Sequence, residues 1–256
     1  MKATTFEFRF RFFIHAAIIV LGFTAPWDRW VHLDSAGPNP HVWGTLSAYL
    51  SKIAPSALSI GGAFNLLLVL AALCAFVAAV LRTWASAYLG TSTVQSSSMH
   101  GDSVVAAGPY RHLRNPLYVG MVIHAVALAL LMPPSGAIFC IVVIALFQLR
   151  LIAGEEAFLA QKLGQPYLAY CARVPRIFPA LAPRVPASPI KAGWPMAFLG
   201  EIYMWGVFLD YAFVGYRYNA FLLIQGVLIA LGVSLIVRAL LPKRPDTDSH
   251  REFDHG

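Results

Sequence analysis

The chain has 256 residues, of which 58% are hydrophobic and only 12% charged, with a mean hydropathy of +0.65. Ordinary soluble domains are about half apolar and about a quarter charged, so this chain has too little polar surface to cover a globule in water, and soluble enzymes are excluded. The net charge is +7, but in a membrane chain Lys and Arg are topology signals before they are evidence of nucleic acid. Cys74, Cys140 and Cys171 are widely spaced in or beside apolar segments, so they read as small hydrophobes and not as a disulfide or metal framework.

A membrane-crossing helix needs about 20 mostly apolar residues. Six segments come near that length: 12–25, 60–81, 116–132, 135–152, 194–213 and 218–241. The first has the basic flank of a signal peptide (Lys2, Arg9, Arg11), but residues 22–26 offer only a poor small-x-small cleavage site, so a retained helix is expected. Between the first and second, Val42, Leu46, Tyr49 and Leu50 fall at helical spacing, as an interfacial helix on the outer face would. The third and fourth are joined by Pro133-Pro134-Ser135-Gly136, a breaker cluster suited to a tight helical hairpin. Residues 242–256 are polar and charge-mixed, the composition of a disordered tail. The fold class expected is therefore an all-α integral membrane protein of about six transmembrane helices.

Six crossings divide the basic residues unevenly. Sixteen Lys and Arg fall on the side of the termini and of the loops 82–115 and 153–193, and Arg29, Lys52 and Arg217 on the other. Cytoplasmic loops carry the excess, so both termini and the two longer polar loops are expected in the cytoplasm. That split accounts for the basic balance without nucleic acid.

Spans that merely cross do not need polar, aromatic-laced loops, and this chain has two. In the run Gly108-Pro109-Tyr110-Arg111-His112-Leu113-Arg114-Asn115-Pro116-Leu117-Tyr118-Val119-Gly120, Pro116 suits a first helical turn with Asn115 as N-cap. Arg111 and Arg114 stand just outside that helix N-terminus, an anion-binding corner toward which Tyr118 can face; the alternative is that these residues are interfacial anchors. The second loop continues the fourth span with Glu155 and Glu156, carboxylates at a membrane surface where basic residues are the rule. Adjacent helical positions lie about 100° apart, so one glutamate is expected to face a site and the other to cap or pair outside it. Leu163-Gly164-Gln165-Pro166 ends the helix, and Tyr167, Tyr170, Arg173 and Val174 to Pro179 read as an aromatic and basic exit strand.

Together these two runs, Gly-Pro-Tyr-Arg-x-x-Arg-Asn-Pro-x-Tyr-x-Gly at 108–120 and Glu-Glu-x-x-Leu through Val-Pro-Arg at 155–176, separated by a two-span hairpin, resemble the isoprenylcysteine carboxyl methyltransferase family and its phospholipid N-methyltransferase relatives. The resemblance covers about residues 80–180. It implies an integral-membrane methyltransferase whose S-adenosylmethionine (SAM) is held in a cytoplasmic region of loops and a short helix, and no GxGxxG stretch argues for a Rossmann sheet instead. On this reading residues 1–59 form an N-terminal helix and outer segment, 60–193 the methyltransferase core with three spans, 194–241 a C-terminal helix pair and 242–256 a tail. The family's cofactor contacts fall on Gln95, Asp102, Ser103, Val104, Val105, Tyr110, Arg111, Arg114, Asn115, Pro116, Tyr118 and Glu155. Asn115 stands where the family usually has histidine. The arginine that touches the prenylcysteine in the family's protein methyltransferases falls opposite Leu151, with Arg150 one residue away, so Arg150 and Arg173 are the candidates to orient an anionic acceptor. Glu155, Glu156 and Arg150 are the candidate catalytic residues, the glutamates as bases only where an amine or thiol must lose a proton.

The implied partners are the lipid bilayer and a lipophilic, lipid or prenylated acceptor. Two rival readings remain. One is an NADPH-dependent sterol-type reductase, in which Arg111 and Arg114 would meet a nucleotide phosphate; the other is a transporter or scaffold, for which Glu201 alone is deep enough in a span. His124 is expected as an interhelical hydrogen-bonder, Glu201 as a pocket or packing group, and His15, Asn65, Gln148 and Gln225 as packing residues, while His100 and His112 lack metal-ligand spacing.

Overall fold

A computed structural model describes residues 2–24, 41–90 and 104–240. Among them all regular structure is helical: α1 (Thr5–Arg9), α2 (Arg11–Thr24), α3 (Val42–Ile53), α4 (Ile60–Leu89), α5 (Pro116–Ala129), α6 (Pro134–Leu163), α7 (Gln165–Arg173), α8 (Trp194–Gly200), α9 (Ile202–Phe213) and α10 (Ala220–Leu240), with single 3₁₀ turns at Gly108–Arg111 and Gly215–Arg217.

Each of the six apolar segments is helical, but they differ in reach. Helices α4, α6 and α10 are long and apolar enough to cross a membrane, and α8 with Ile202–Arg217 makes a fourth span if that pair, bent by 67°, counts as one. Helices α2 and α5 have 14 residues each, about 21 Å at 1.5 Å per residue, which falls short of a hydrocarbon core of about 30 Å. The expected six full crossings are therefore three or four by length, flanked by two shorter apolar helices. Conversely, the 30 residues of α4 and of α6 outrun the core, so their last turns carry Arg82 and Glu155 beyond the apolar stretch while still helical. The tail 242–256 and residues 25–40 lie outside the described ones.

Helix α4 is the central post, packed against α3, α5, α8 and α9. Its inward positions are small: Ala63, Ala75, Ala78 and Ala79 are fully buried, and Ala125, Ala127 and Ala129 do the same for α5. Small residues let helix axes approach where no hydrophobic force separates protein from lipid. Helix α6 packs on α5 and α2, and α10 on α9 and α8. Helix α3 seats its N-terminus on the hairpin turn, its otherwise unpaired Val42 and Trp43 amides donating to Met132 O (2.8 Å) and Leu130 O (3.0 Å).

Gly164, at φ 60°, closes α6, and the chain then starts a new helix. The exit strand expected over 167–173 is instead helix α7, because Pro166 occupies a position where its missing N–H costs nothing. Tyr167 and Tyr170, one turn apart, are both buried on its inner face. Beyond α7 the chain runs back along 106–114: the amides of Arg114, Ala180, Arg184 and Ser188 pair with the carbonyls of Pro175, His112, Arg111 and Ala106. Both polar loops thus become one layer over the end of the bundle.

Candidate active site

Asn115 precedes α5 at φ −123°, ψ 52°, but its side chain makes no cap hydrogen bond. Its Nδ2 donates instead to Glu156 Oε1 (3.0 Å) and to Arg176 O (3.1 Å). Arg176 Nε gives Glu156 Oε2 a further bond at 2.8 Å, with a second from Arg176 Nη2, and Arg114 Nη1 stands 3.5 Å from Oε1. The anion corner at the start of α5 is thus filled by the protein's own carboxylate. Glu156, in turn, holds Arg176 with its guanidinium raised above its ordinary range by that bond.

Glu155 turns the other way. Its carboxylate accepts from Tyr118 Oη at 2.5 Å, and both groups line a cavity of about 1220 Å³. That exceeds the usual range of ligand pockets, roughly 300–1,000 Å³. At this end the wall consists of Val104, Val105, Tyr110, Arg114, Asn115, Pro116, Tyr118, Glu155, Glu156, Tyr167 and Tyr170. Tyr110 Oη is buried with no hydrogen-bond partner among the described residues, as is Arg114 Nε. Burial and the nearby Glu155 carboxylate push the Tyr110 phenol well above its ordinary range, so it is a neutral donor beside an acceptor. Tyr170 Oη donates to Tyr110 O at 2.7 Å and braces the turn.

Two motif glycines are demanded by this packing. Gly108 has φ +52°, and a Cβ there would stand 2.3 Å from the ring of Tyr88; a Cβ on Gly120 would stand 2.6 Å from Arg82 Cγ. Arg82 itself closes on Glu201 with two bonds (2.7 and 3.0 Å) and on Leu117 O (3.1 Å), and Ser86 Oγ also donates to Glu201. Glu201 sits at the break between α8 and α9, so its ion pair fastens the bend to α4.

Not every expected residue comes to the cavity. Arg150 does not line it; it forms two hydrogen bonds with Glu7 (3.0 and 2.8 Å) on the outer side of α6. The cause is register: Leu151 is the fully buried neighbour, and α1 lays Glu7 against the opposite face. Arg111 donates to Val185 O at 2.9 Å and Arg173 is exposed on α7, neither lining the cavity. Gln95, Asp102 and Ser103 lie outside the described residues. His124 meets Tyr203 Oη at 3.1 Å and Gln148 meets His15 at 2.6 Å, both interhelical. Among the described residues, no group of three His, Cys, Asp or Glu is placed to hold a metal.

Sequence reasoning missed Arg11, Arg82 and Arg238, all in the cavity wall. For Arg11 a signal existed: with His15 it makes an i, i+4 polar pair on an apolar helix. Away from Glu155 the cavity runs between α2 and α10, past Phe12, Ile19 and Phe23 on one side and Phe221, Ile224 and Leu228 on the other.

A polar motif layer, a buried carboxylate–phenol pair and an apolar cavity reaching along two helices call for comparison with membrane enzymes. Residues 66–166 match the phospholipid methyltransferase family. That family is related to the isoprenylcysteine carboxyl methyltransferases. The phospholipid methyltransferase segment takes in most of α4, all of α5 and α6, and the cavity wall from Arg82 to Leu163; α2 and α10 lie outside it. Such a segment on apolar helices is that of a membrane methyltransferase domain. No curated protein and no solved structure matches the chain.

Proposed function

We propose that the protein is an integral-membrane, SAM-dependent methyltransferase that acts on a lipophilic acceptor carrying a carboxylate, amine or thiol. The observation that carries this reading is the pairing of Glu155 with Tyr118 beside the unpartnered Tyr110 hydroxyl, in a cavity continuous with an apolar channel between α2 and α10. The donor set fits SAM: Glu155 suits its ribose hydroxyls or ammonium, and Tyr110 and Arg114 offer donors to its polar edges. Val104 and Val105 would flank the same site, with Gln95, Asp102 and Ser103 as the remaining contacts implied by the family. When bound, the sulfonium supplies an electrophilic methyl for an in-line displacement.

The chain's own residues then have three tasks. Glu155 and Tyr118 fix the reacting geometry; where the acceptor is an amine or thiol, Glu155 Oε is placed to take its proton as the new bond to carbon forms. The aromatic wall of Tyr110, Tyr167 and Tyr170 keeps water out. Glu156 acts as a positioning residue, because it ties α6 to the 108–120 motif through Asn115 and Arg176. The excess of basic residues on one side supports a cytoplasmic position for both termini and this site.

The reductase reading is the weaker one. It needs Arg111 and Arg114 for a nucleotide phosphate, yet Arg111 is turned to Val185 O and Arg114 to Glu156.

Calorimetric titration of the detergent-purified protein with SAM and with NADPH, alongside Glu155→Gln, tests the assignment. Binding of SAM that Glu155→Gln weakens at least tenfold is expected; NADPH binding, or SAM binding indifferent to Glu155, overturns it.

A further inference from the structure

Two turns before Glu155, α6 brings a second polar side chain to the wall of the same cavity. Gln148 lies seven residues earlier in the helix, which is nearly the same face about 10.5 Å along the axis, and both residues line the cavity. Gln148 is 2% exposed within the apolar stretch of α6. Its amide faces His15 of α2, which lines the cavity as well, the two Nε2 atoms standing 2.6 Å apart.

The other bond of His15 fixes which way that amide points. The ring also bonds to the Arg11 carbonyl one turn back, a contact only a ring N–H can make, and with Nε2 turned to Gln148 the nitrogen that makes it is Nδ1. A neutral imidazole has one donor and one acceptor, so Nε2 is the acceptor and the Gln148 nitrogen is its donor. The Phe147 ring, edge-on with its centroid 5.1 Å away, holds the imidazole from the side. Gln148 Oε1 is left over, buried with no hydrogen-bond partner among the described residues. Flipping the amide would set oxygen against an acceptor nitrogen and gain nothing. A buried acceptor without a donor is costly, and this one belongs to a residue in the cavity wall. A ligand that answers it carries a donor part-way along its tail, and a hydroxyl is the smallest such group. In an extended acyl chain the tenth carbon stands about as far from the carboxyl carbon as Gln148 does from Glu155 along α6.

We propose that Gln148 Oε1 is a specificity contact for the methyl acceptor, accepting from a hydroxyl carried about 10 Å down the tail from the head that meets Glu155. The assignment rests on the methyltransferase reading only in taking that amphiphile to be the methyl acceptor. His15 is the positioning residue, because it fixes the amide with its oxygen free.

Displacement of the fluorescent fatty acid cis-parinaric acid from the full chain in neutral detergent tests this, with stearic acid, 5-hydroxystearic acid and 10-hydroxystearic acid as competitors. The 10-hydroxy acid is expected to compete about three- to tenfold better than the other two, the ordinary worth of a neutral hydrogen bond. Gln148→Met, which keeps the bulk and removes the acceptor, is expected to erase that preference and leave stearic acid competing as before. A purely structural Gln148 would instead move all three acids together. Equal or poorer competition by the 10-hydroxy acid, competition by none of the three, or a preference that survives Gln148→Met overturns the contact and leaves Oε1 to a buried water. Should Gln148→Met fail to fold by thermal unfolding, the ranking of the 5- and 10-hydroxy acids on the unaltered chain still decides. SAM binding is read separately: its absence defeats the methyltransferase reading and leaves the Gln148 contact standing.

Discussion

Glu155 and Glu156 are consecutive in α6 and take different partners: Glu155 accepts from Tyr118, and Glu156 accepts from Arg176 and Asn115 in the layer above. The 100° step of the helix separates a carboxylate bonded to a phenol from one bound into the returning layer. Substitutions at the two positions should therefore fail differently.

For the inward pair, Tyr118→Phe removes one hydrogen bond to a charged group, worth roughly 1.5–3 kcal/mol. Calorimetry is expected to show SAM binding weakened by about ten- to hundredfold, together with a lower unfolding temperature, because the bond is present without ligand. Unaltered affinity would remove Tyr118 from the site.

For the outward one, Glu156→Gln leaves Arg176 and Arg114 without their carboxylate. Breaking a buried pair from one side costs roughly 3–5 kcal/mol, at the lower end here because Arg176 is partly exposed. A lower unfolding temperature is expected, together with faster hydrogen exchange at the Arg114 and Ala180 amides that hold the returning strand. Exchange as slow as in the unaltered chain would show that the layer stands without Glu156.

The Arg82–Glu201 pair is buried on both sides, 11% and 3% exposed. Glu201→Gln should destabilise by about 3–5 kcal/mol, whereas Arg82→Met with Glu201→Met should cost much less, since no charge is left unpaired. Thermal unfolding of the single and double variants decides; equal losses would mean that the bend holds by packing alone.

Much of this was legible locally. The Pro133-Pro134 hairpin, the start of α5 at Pro116 and the end of α6 at Gly164 are each written in one or two residues whose backbone preferences are strong. What failed to show is long-range. Arg150 sits beside the position the family uses, but its partner Glu7 is 143 residues away, and no local pattern announces that α1 would cover that face. Helix α7 was hidden because Tyr167, Tyr170 and Arg173 fit an alternating reading as well as a helical one when Pro166 is taken only as a stop. Composition marks apolar helices without measuring whether 14 residues reach across, so six apolar segments yield three or four helices that are long enough by themselves.

Acid should loosen the N-terminal strap before the rest. The Glu7 carboxyl is held down to about 2, against an ordinary 4.5, chiefly by its bonds from Arg150 and then by the Thr4 amide. A carboxyl lowered in the folded state contributes stability that is present above its unfolded value and lost as pH falls through the folded one. Exchange of the Ala3 amide, which donates to Arg150 O, is thus expected to accelerate between pH 4.5 and about 2, relative to the intrinsic rate, and to be fast throughout in Glu7→Gln. A flat profile would show that α1 is held by Phe8 and its neighbours instead.

The cavity's two long walls come from α2 and α10, the first and last apolar helices of the described chain. Synthesis proceeds from the N-terminus, so the wall made first must wait for the one made last while the intervening helices enter the bilayer. During that interval the face of α2 bearing Phe12, Ile19 and Phe23 lacks its α10 wall, and lipid is its neighbour. The channel is therefore born filled, and the bilayer's own molecules are its first occupants.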